Sequence, residues 1–248
     1  MAKKYELTDE VFEKKLPFCE PERLYRIRAL EDMWFCGVKA GDLGGFVYSE
    51  EALSHDGCCW VHDNAKVLGG SKVLGDAQVM GSAIIYGSTV YDRAVVADKA
   101  RVYASQIFGE AMVYDQALVD QSYVYEQARI YDKASVCGCC SSRFSDSDGI
   151  YGHAKIFGNA RVSYSEVYDY AQIYDDARIS RSSFFPKRIK IYGRCHIHDQ
   201  AEIDGDARIY GMAEVFGNAK VINRATVCGT AFIGNYCVIG GQTVVSCS

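Results

Sequence analysis

Five histidines and eleven cysteines hold much of the reactive chemistry in this 248-residue chain. His196 and His198 flank a single aliphatic residue, so on a strand both project to one face as a usable pair of metal ligands. Glu214 falls where one further coil of chain sets a carboxylate beside His196, completing a two-histidine, one-carboxylate set. His153 comes four residues after the run V-C-G-C-C-S-S-R-F-S-D-S-D-G at 136–149. It is the base nearest that run and the candidate general base for acyl transfer; a solvated corner residue replacing the usual Asn or Asp is the competing role. Cys137, Cys139 and Cys140 can offer thiolates to zinc, although C-x-x-C spacing is absent and a free-thiol role competes. Arg143 and Phe144 in that run, with Phe184, Lys187 and Arg188 in a second run at 179–190, supply aromatic and cationic contacts to an anionic or acidic partner. His62 and His198 lie too many coils apart to share a site within one subunit. The histidines lack a three-histidine zinc spacing and the cysteines lack a fourth ligand, so neither a metal site nor a resident cofactor is assigned.

The elements that must position these residues are read from a repeat. From Val61 the chain runs V-H-D-N-A-K, V-L-G-G-S-K, V-L-G-D-A-Q, and later I-F-G-N-A-R and V-F-G-N-A-K. All 29 rungs from Val61 to Ile239 open on Val or Ile, and a small residue such as Ala65, Ala77, Ala100, Ala160 or Ala219 usually follows four places on. A β-branched residue suits a strand and points inward, and the next residue points outward. Gly, Asp or Asn then accepts the backbone of a tight corner, and the small residue fits inside it. Three such sides close a triangular coil, and successive coils stack rung on rung. The period is too short for hairpins, and the corner residues exclude helices. The expected fold is all-β: a single-stranded parallel β-helix over 61–248, with a small β cap over 1–60 in which Lys4–Leu7 and Leu24–Leu30 read as strands.

Departures from the period gather on one side. Rungs at 85–89, 102–106, 119–123 and 162–166 have five residues, and the loops at 136–149 and 179–190 interrupt the same side. Loops on a rigid scaffold often carry function, so any site is expected beside this irregular side. The outward residues of the regular sides form two ladders. One runs through Tyr91, Phe108, Tyr125, Tyr151, Tyr168, Tyr192 and Tyr210, the other through Tyr114, Tyr131, Phe157, Tyr174, His198 and Phe216. Stacked rungs favour stacked side chains, yet a wide aromatic surface also marks an interface, most simply between copies of the chain.

The formal charge of -5 and pI near 5.6 argue against nucleic-acid and anionic-membrane partners. No long apolar run suggests a membrane span, and the first residues lack an apolar leader, so a cytoplasmic protein with reduced cysteines is expected.

The unbroken Ile/Val-x-x-x-Ala/Ser-x tandem resembles the hexapeptide-repeat family, whose fold is a left-handed parallel β-helix. Y-R-I-R-A-L at 25–30, G-D-L-G-G at 41–45 and L-S-H-D-G at 53–57 are similar to a subgroup found in bacterial and prophage genomes and labelled as acyltransferases. The resemblance implies the left hand, a homotrimer and, for its enzymes, an acyl-CoA co-substrate with a catalytic histidine by an extruded loop. Neither loop of this chain contains a histidine. Two functions are therefore carried forward: a non-enzymatic binding or assembly module, possible in a viral or prophage accessory role that captures a ligand or host protein, and a trimeric acyl-CoA-dependent acyltransferase using His153.

Overall fold

The computed structural model describes residues 3–14, 22–138, 149–181 and 188–247. Among these, regular structure is strand throughout, apart from two single 3-10 turns at Trp34–Cys36 and Glu50–Ala52. No described helix is long and apolar enough to cross a membrane. The chain divides into two compact units, Met1–Gln116 and Ala117–Ser248. Both are β-solenoid, about ten turns in all.

The first unit opens with three antiparallel strands: β1 (Tyr5–Lys14), β2 (Glu22–Ala29) and β3 (Leu43–Val47). The expected strands are present, and longer than their apolar cores suggested. β3 then pairs in parallel with Lys66–Leu68, Val47 opposite Val67, and so converts the antiparallel start into the first coil. This junction needs Gly45, because a Cβ there would meet Ala65 O at 2.5 Å. Tyr5, Leu24 and Ile27 are fully buried beneath the strands. The Tyr5 hydroxyl donates to carbonyl oxygens at Glu50 and Leu53, and burial pushes its pKa well up. Lys4 is buried too, its ammonium donating to the carbonyls of Gly57 and Cys59. His55 stacks on Tyr5 with centroids 4.6 Å apart and bonds Glu50 at 3.1 Å, which gives it a place in the cap.

In each unit the coils add one strand apiece to three parallel sheets. In the second unit the irregular side holds Leu118–Asp120, Ser135–Cys137, Arg161–Ser163 and Arg178–Ser180 in register. The tyrosine side follows it in chain order, with Tyr123–Val124, Gly149–Ile150, Ser165–Val167 and Ile189–Ile191. The third side holds Arg129–Ile130, Lys155–Ile156, Gln172–Ile173 and His196–Ile197. The aliphatic and alanine positions converge on the interior: Val119, Ala128, Ile130, Ala154, Ile156, Ala160 and Ile209 are all fully buried. Each buried Val or Ile contributes roughly 1.5–3 kcal/mol by leaving water.

The corners explain the polar half of the repeat. Asp63, Asp92, Asp98, Asp132, Asp169 and Asp199 all have left-handed backbone, with φ of 52–59°. Asp tolerates that region better than most residues with a Cβ. Each of these carboxylates also accepts a backbone N–H from the next coil, as Asp92 does from Gly109 at 3.1 Å and Asp199 from Gly217 at 2.9 Å. The corner aspartate therefore fixes a turn and caps its neighbour.

Short rungs use a different corner. Gly87, Ala104, Gln121 and Tyr164 take the left-handed position, and the next residue is Ser88, Ser105, Ser122 or Ser165. Each serine hydroxyl donates back to a carbonyl two residues earlier, as Ser165 does to Ser163 O at 2.8 Å. In the first unit Ser88 N and Ser105 N also donate to the serine hydroxyl one coil before, at 3.1 and 3.0 Å. The column reaches back to Ser71 in the six-residue rung 67–72, so it spans rungs of both lengths. The two loops share this side with the short rungs.

Candidate functional site at the loop-bearing corner

Both loops leave the second unit at the corner between the irregular and tyrosine sides. Arg143, Phe144, Phe184 and Lys187, together with Cys139 and Cys140, lie outside the described residues; Arg188 is described and half-buried. The base of the first loop is built by close backbone contacts. Gly138 N donates to Asp120 O at 2.8 Å, and Tyr164 N donates to Cys137 O at 3.2 Å. A Cβ on Gly138 would lie 1.7 Å from Gln121 O, so only glycine fits where the chain leaves the coil. Burial raises the Asp120 carboxyl on the same edge.

A narrow gap of about 10 Å³, room for roughly one water, lies here between Ser122, Cys137, Gly138, Gly149, Tyr164 and Ser165. Tyr164 stands at its rim with φ 53°, a strained setting for a bulky residue. The Arg181 guanidinium lies 5.2 Å from the Tyr164 ring centroid, and its Nε is buried with no hydrogen-bond partner among the described residues. On the adjoining strand Glu166, only 5 % exposed, pairs with its register partner Lys190 at 2.9 Å. Arg181 and Tyr164 were absent from the candidate residues read from sequence. The signal available was Tyr164 itself, a large residue where the repeat calls for Gly, Asp or Asn.

His153 does not share this corner. The strand Gly149–Ile150 separates it from the loop, and it lies exposed at the next corner, where its ring stacks on Tyr170 at 4.6 Å. Arg194 covers Tyr170 in turn, 5.6 Å from its centroid.

The other candidate ligands separate as well. Glu214 pairs in register with His196, as the repeat implied, but its carboxylate bonds His198 Nε2 at 2.9 Å. His196 sits edge-on to Tyr174 instead. His62 bonds Gln78 at 2.8 Å. Cys195 fills the small-residue slot, fully buried, its thiol pushed up to about 12 by burial. Cys237 occupies the same repeat position but is exposed.

The aromatic ladders form, though not as open surfaces. Tyr125, Tyr151, Tyr168, Tyr192 and Tyr210 stack with centroids 4.8–5.0 Å apart and planes within 8°. Tyr131, Phe157, Tyr174, His198 and Phe216 stack likewise on the third side, with centroids 4.8–5.7 Å apart and planes within 11°. All are half-buried. Ring faces cover one another and only edges reach solvent, so these ladders offer no open face to a stacking ligand. Burial raises the Tyr125, Tyr151 and Tyr168 phenols.

A family model described as YdcK Beta solenoid repeat matches residues 171–184, the segment that leads through Gln172–Ile173 and Arg178–Ser180 into the second loop. The chain is built of β-solenoid repeats. A comparison with curated proteins found no match.

Proposed function

We propose that this chain is a non-enzymatic binding module whose contact surface is the loop-bearing corner of the Ala117–Ser248 unit and whose partner presents carboxylates. The observation that carries the reading is Arg181: a guanidinium 5.2 Å from the Tyr164 ring centroid, its Nε buried with no hydrogen-bond partner among the described residues, at the foot of the second loop. A guanidinium has further N–H groups besides Nε, which can offer a carboxylate charge-assisted bonds. Arg188 and the loop residues Arg143, Phe144, Phe184 and Lys187 extend the same chemistry. The module acts as a homotrimer in the cytoplasm, by the family habit and the ladders' edges, and an accessory role in a prophage setting fits the resemblance.

The competing acyltransferase reading rests on the resemblance and on His153. Binding of a fluorescein-labelled oligoglutamate peptide, followed by anisotropy at low salt, tests the proposal. Arg181→Ala and replacement of 139–148 by a short Gly-Ser bridge should each weaken binding at least tenfold, while His153→Ala leaves it unchanged. Thiol release from acetyl-CoA that His153→Ala abolishes would overturn the proposal in favour of catalysis.

A further inference from the structure

We propose that the last described coil of the Ala117–Ser248 unit is a contact surface for a second copy of this chain, paired end to end about a two-fold axis. Its strands, Phe232–Ile233, Val238–Ile239 and Val244–Cys247, are the outermost members of the three sheets. Earlier coils pass hydrogen bonds forward from the outward residue that opens each strand. Glu214 N donates to Ala231 O, Lys220 N to Cys237 O and Thr226 N to Thr243 O, at 2.8–2.9 Å. Phe232, Val238 and Val244 hold the same positions one coil on, and among the described residues no such bond leaves their N–H groups. An open strand edge of this kind is a template for another strand. The Met1–Gln116 unit treats its first coil differently. There Val47 pairs over Val67, Leu53 bridges to Val73, and Tyr5 packs edge-on against Trp60 of the remaining strand. A head-to-tail contact therefore meets a covered edge, whereas a second copy of the last coil offers an open one.

The side chains of this coil change in the way that self-pairing requires. At the outward positions that open the strands, the two coils before carry His196 and Glu214, Glu202 and Lys220, and Arg208 and Thr226. The last coil places Phe232, Val238 and Val244 there, 67 %, 59 % and 66 % exposed. From Ala225 to Ser248 the sequence has no Lys, Arg, His, Asp, Glu or Pro, in a chain that is 24 % charged. Those are the residues that usually protect a sheet edge from pairing. A two-fold axis sets a surface against its own twin, so a charge near the axis meets its like, which destabilises the pair. A neutral apolar end avoids that repulsion, and it offers no charge to select a different partner. The axis also runs each strand antiparallel to one of the copy, with outward side chains about 4.5–5.5 Å apart across the seam. Ile239 and Val245 gain cover as well. They are half-exposed, although Val221 and Val227 one coil earlier are fully buried.

Sedimentation velocity on the full chain, from about 5 to about 500 µM, tests the contact, a range that suits an interface as small as one coil's end. The mass of the dilute assembly should double with concentration and stop there, because a two-fold contact closes. The doubling is read against that dilute assembly, so it stands apart from lateral trimerisation. Val238→Glu should raise the concentration of half-doubling at least tenfold, by setting like charges across the seam. Phe232→Glu combined with Val238→Glu should leave half the parent's mass at the highest concentration. Phe35→Glu, at an exposed apolar residue of the other unit, should change nothing. Both tested side chains point outward, so unchanged far-UV circular dichroism is expected and shows that the coils persist. Equal masses for the parent and the double variant overturn the proposal. Growth of the parent beyond a doubling also overturns it, since that is the mark of head-to-tail stacking.

Discussion

Replacing Asp92 in three ways separates the two tasks of a corner aspartate. Its carboxylate accepts Gly109 N–H at 3.1 Å and its backbone sits at φ 58°. Asn keeps an acceptor and tolerates the left-handed region, so Asp92→Asn should cost no more than about 0.5 kcal/mol. Gly keeps the backbone but loses the cap, worth about 0.5–1.5 kcal/mol for an exposed hydrogen bond, and adds roughly 0.5–1 kcal/mol of chain entropy. Ala loses the cap and takes on the left-handed penalty of about 1–2 kcal/mol, which leaves it about 1 kcal/mol worse than Gly. The expected order of stability is therefore parent, Asn, Gly, Ala. Urea midpoints followed by far-UV circular dichroism read that order directly, because a solenoid passes local loss to its neighbouring coils. An Ala variant as stable as Gly would refute the strain argument. An Asn variant as poor as Ala would show that charge, and not the acceptor, sets the corner.

Val119, fully buried, should lose several kcal/mol on change to Asp through an unpaired interior charge, and an unchanged melting temperature would place the register wrongly. Replacing 139–148 by a Gly-Ser bridge should leave thermal stability near that of the parent, whereas Gly138→Ala should lower it clearly, given the 1.7 Å approach to Gln121 O. In solution the chain should scatter light as a trimer, and a mass near the 27.5 kDa of one chain refutes that assembly. Asp199 has its carboxyl held below the usual value, first by the Gly217 N–H and then by His198. A depressed folded value means that its contribution is present above the unfolded value and lost as pH falls through the folded one. Asp199→Asn should thus be less acid-sensitive than the parent across that window, and identical acid profiles refute the assignment.

Much of the fold was legible in the residues because each repeat position answers a local demand. Val or Ile at the rung start can only point inward where Ala closes the corner, and Asp or Gly is what a left-handed turn accepts. Those demands recur at a fixed period, so the interior positions Val102, Val119, Ile156 and Ile209 follow from counting. The place of both loops on one side follows from the same count.

The site was less legible, because its parts meet across coils. Arg181 and Tyr164 lie in successive rungs of the irregular side, and only stacking sets one over the other. Glu214 is register partner to His196, yet its carboxylate reaches His198, since the side chain crosses the rung diagonally. His153 is near the first loop in sequence but is separated from it by the strand Gly149–Ile150, since a chain that turns every six residues carries near neighbours to different corners. The ladders were evident as a pattern, while the covering of each ring face by the next was decided by the coil-to-coil spacing. Sequence alone determined which residues face in, which turn and where the period breaks. Tertiary structure decided which outward side chains meet, because contact on a solenoid surface depends on the spacing and diagonal reach between coils, which no single rung encodes.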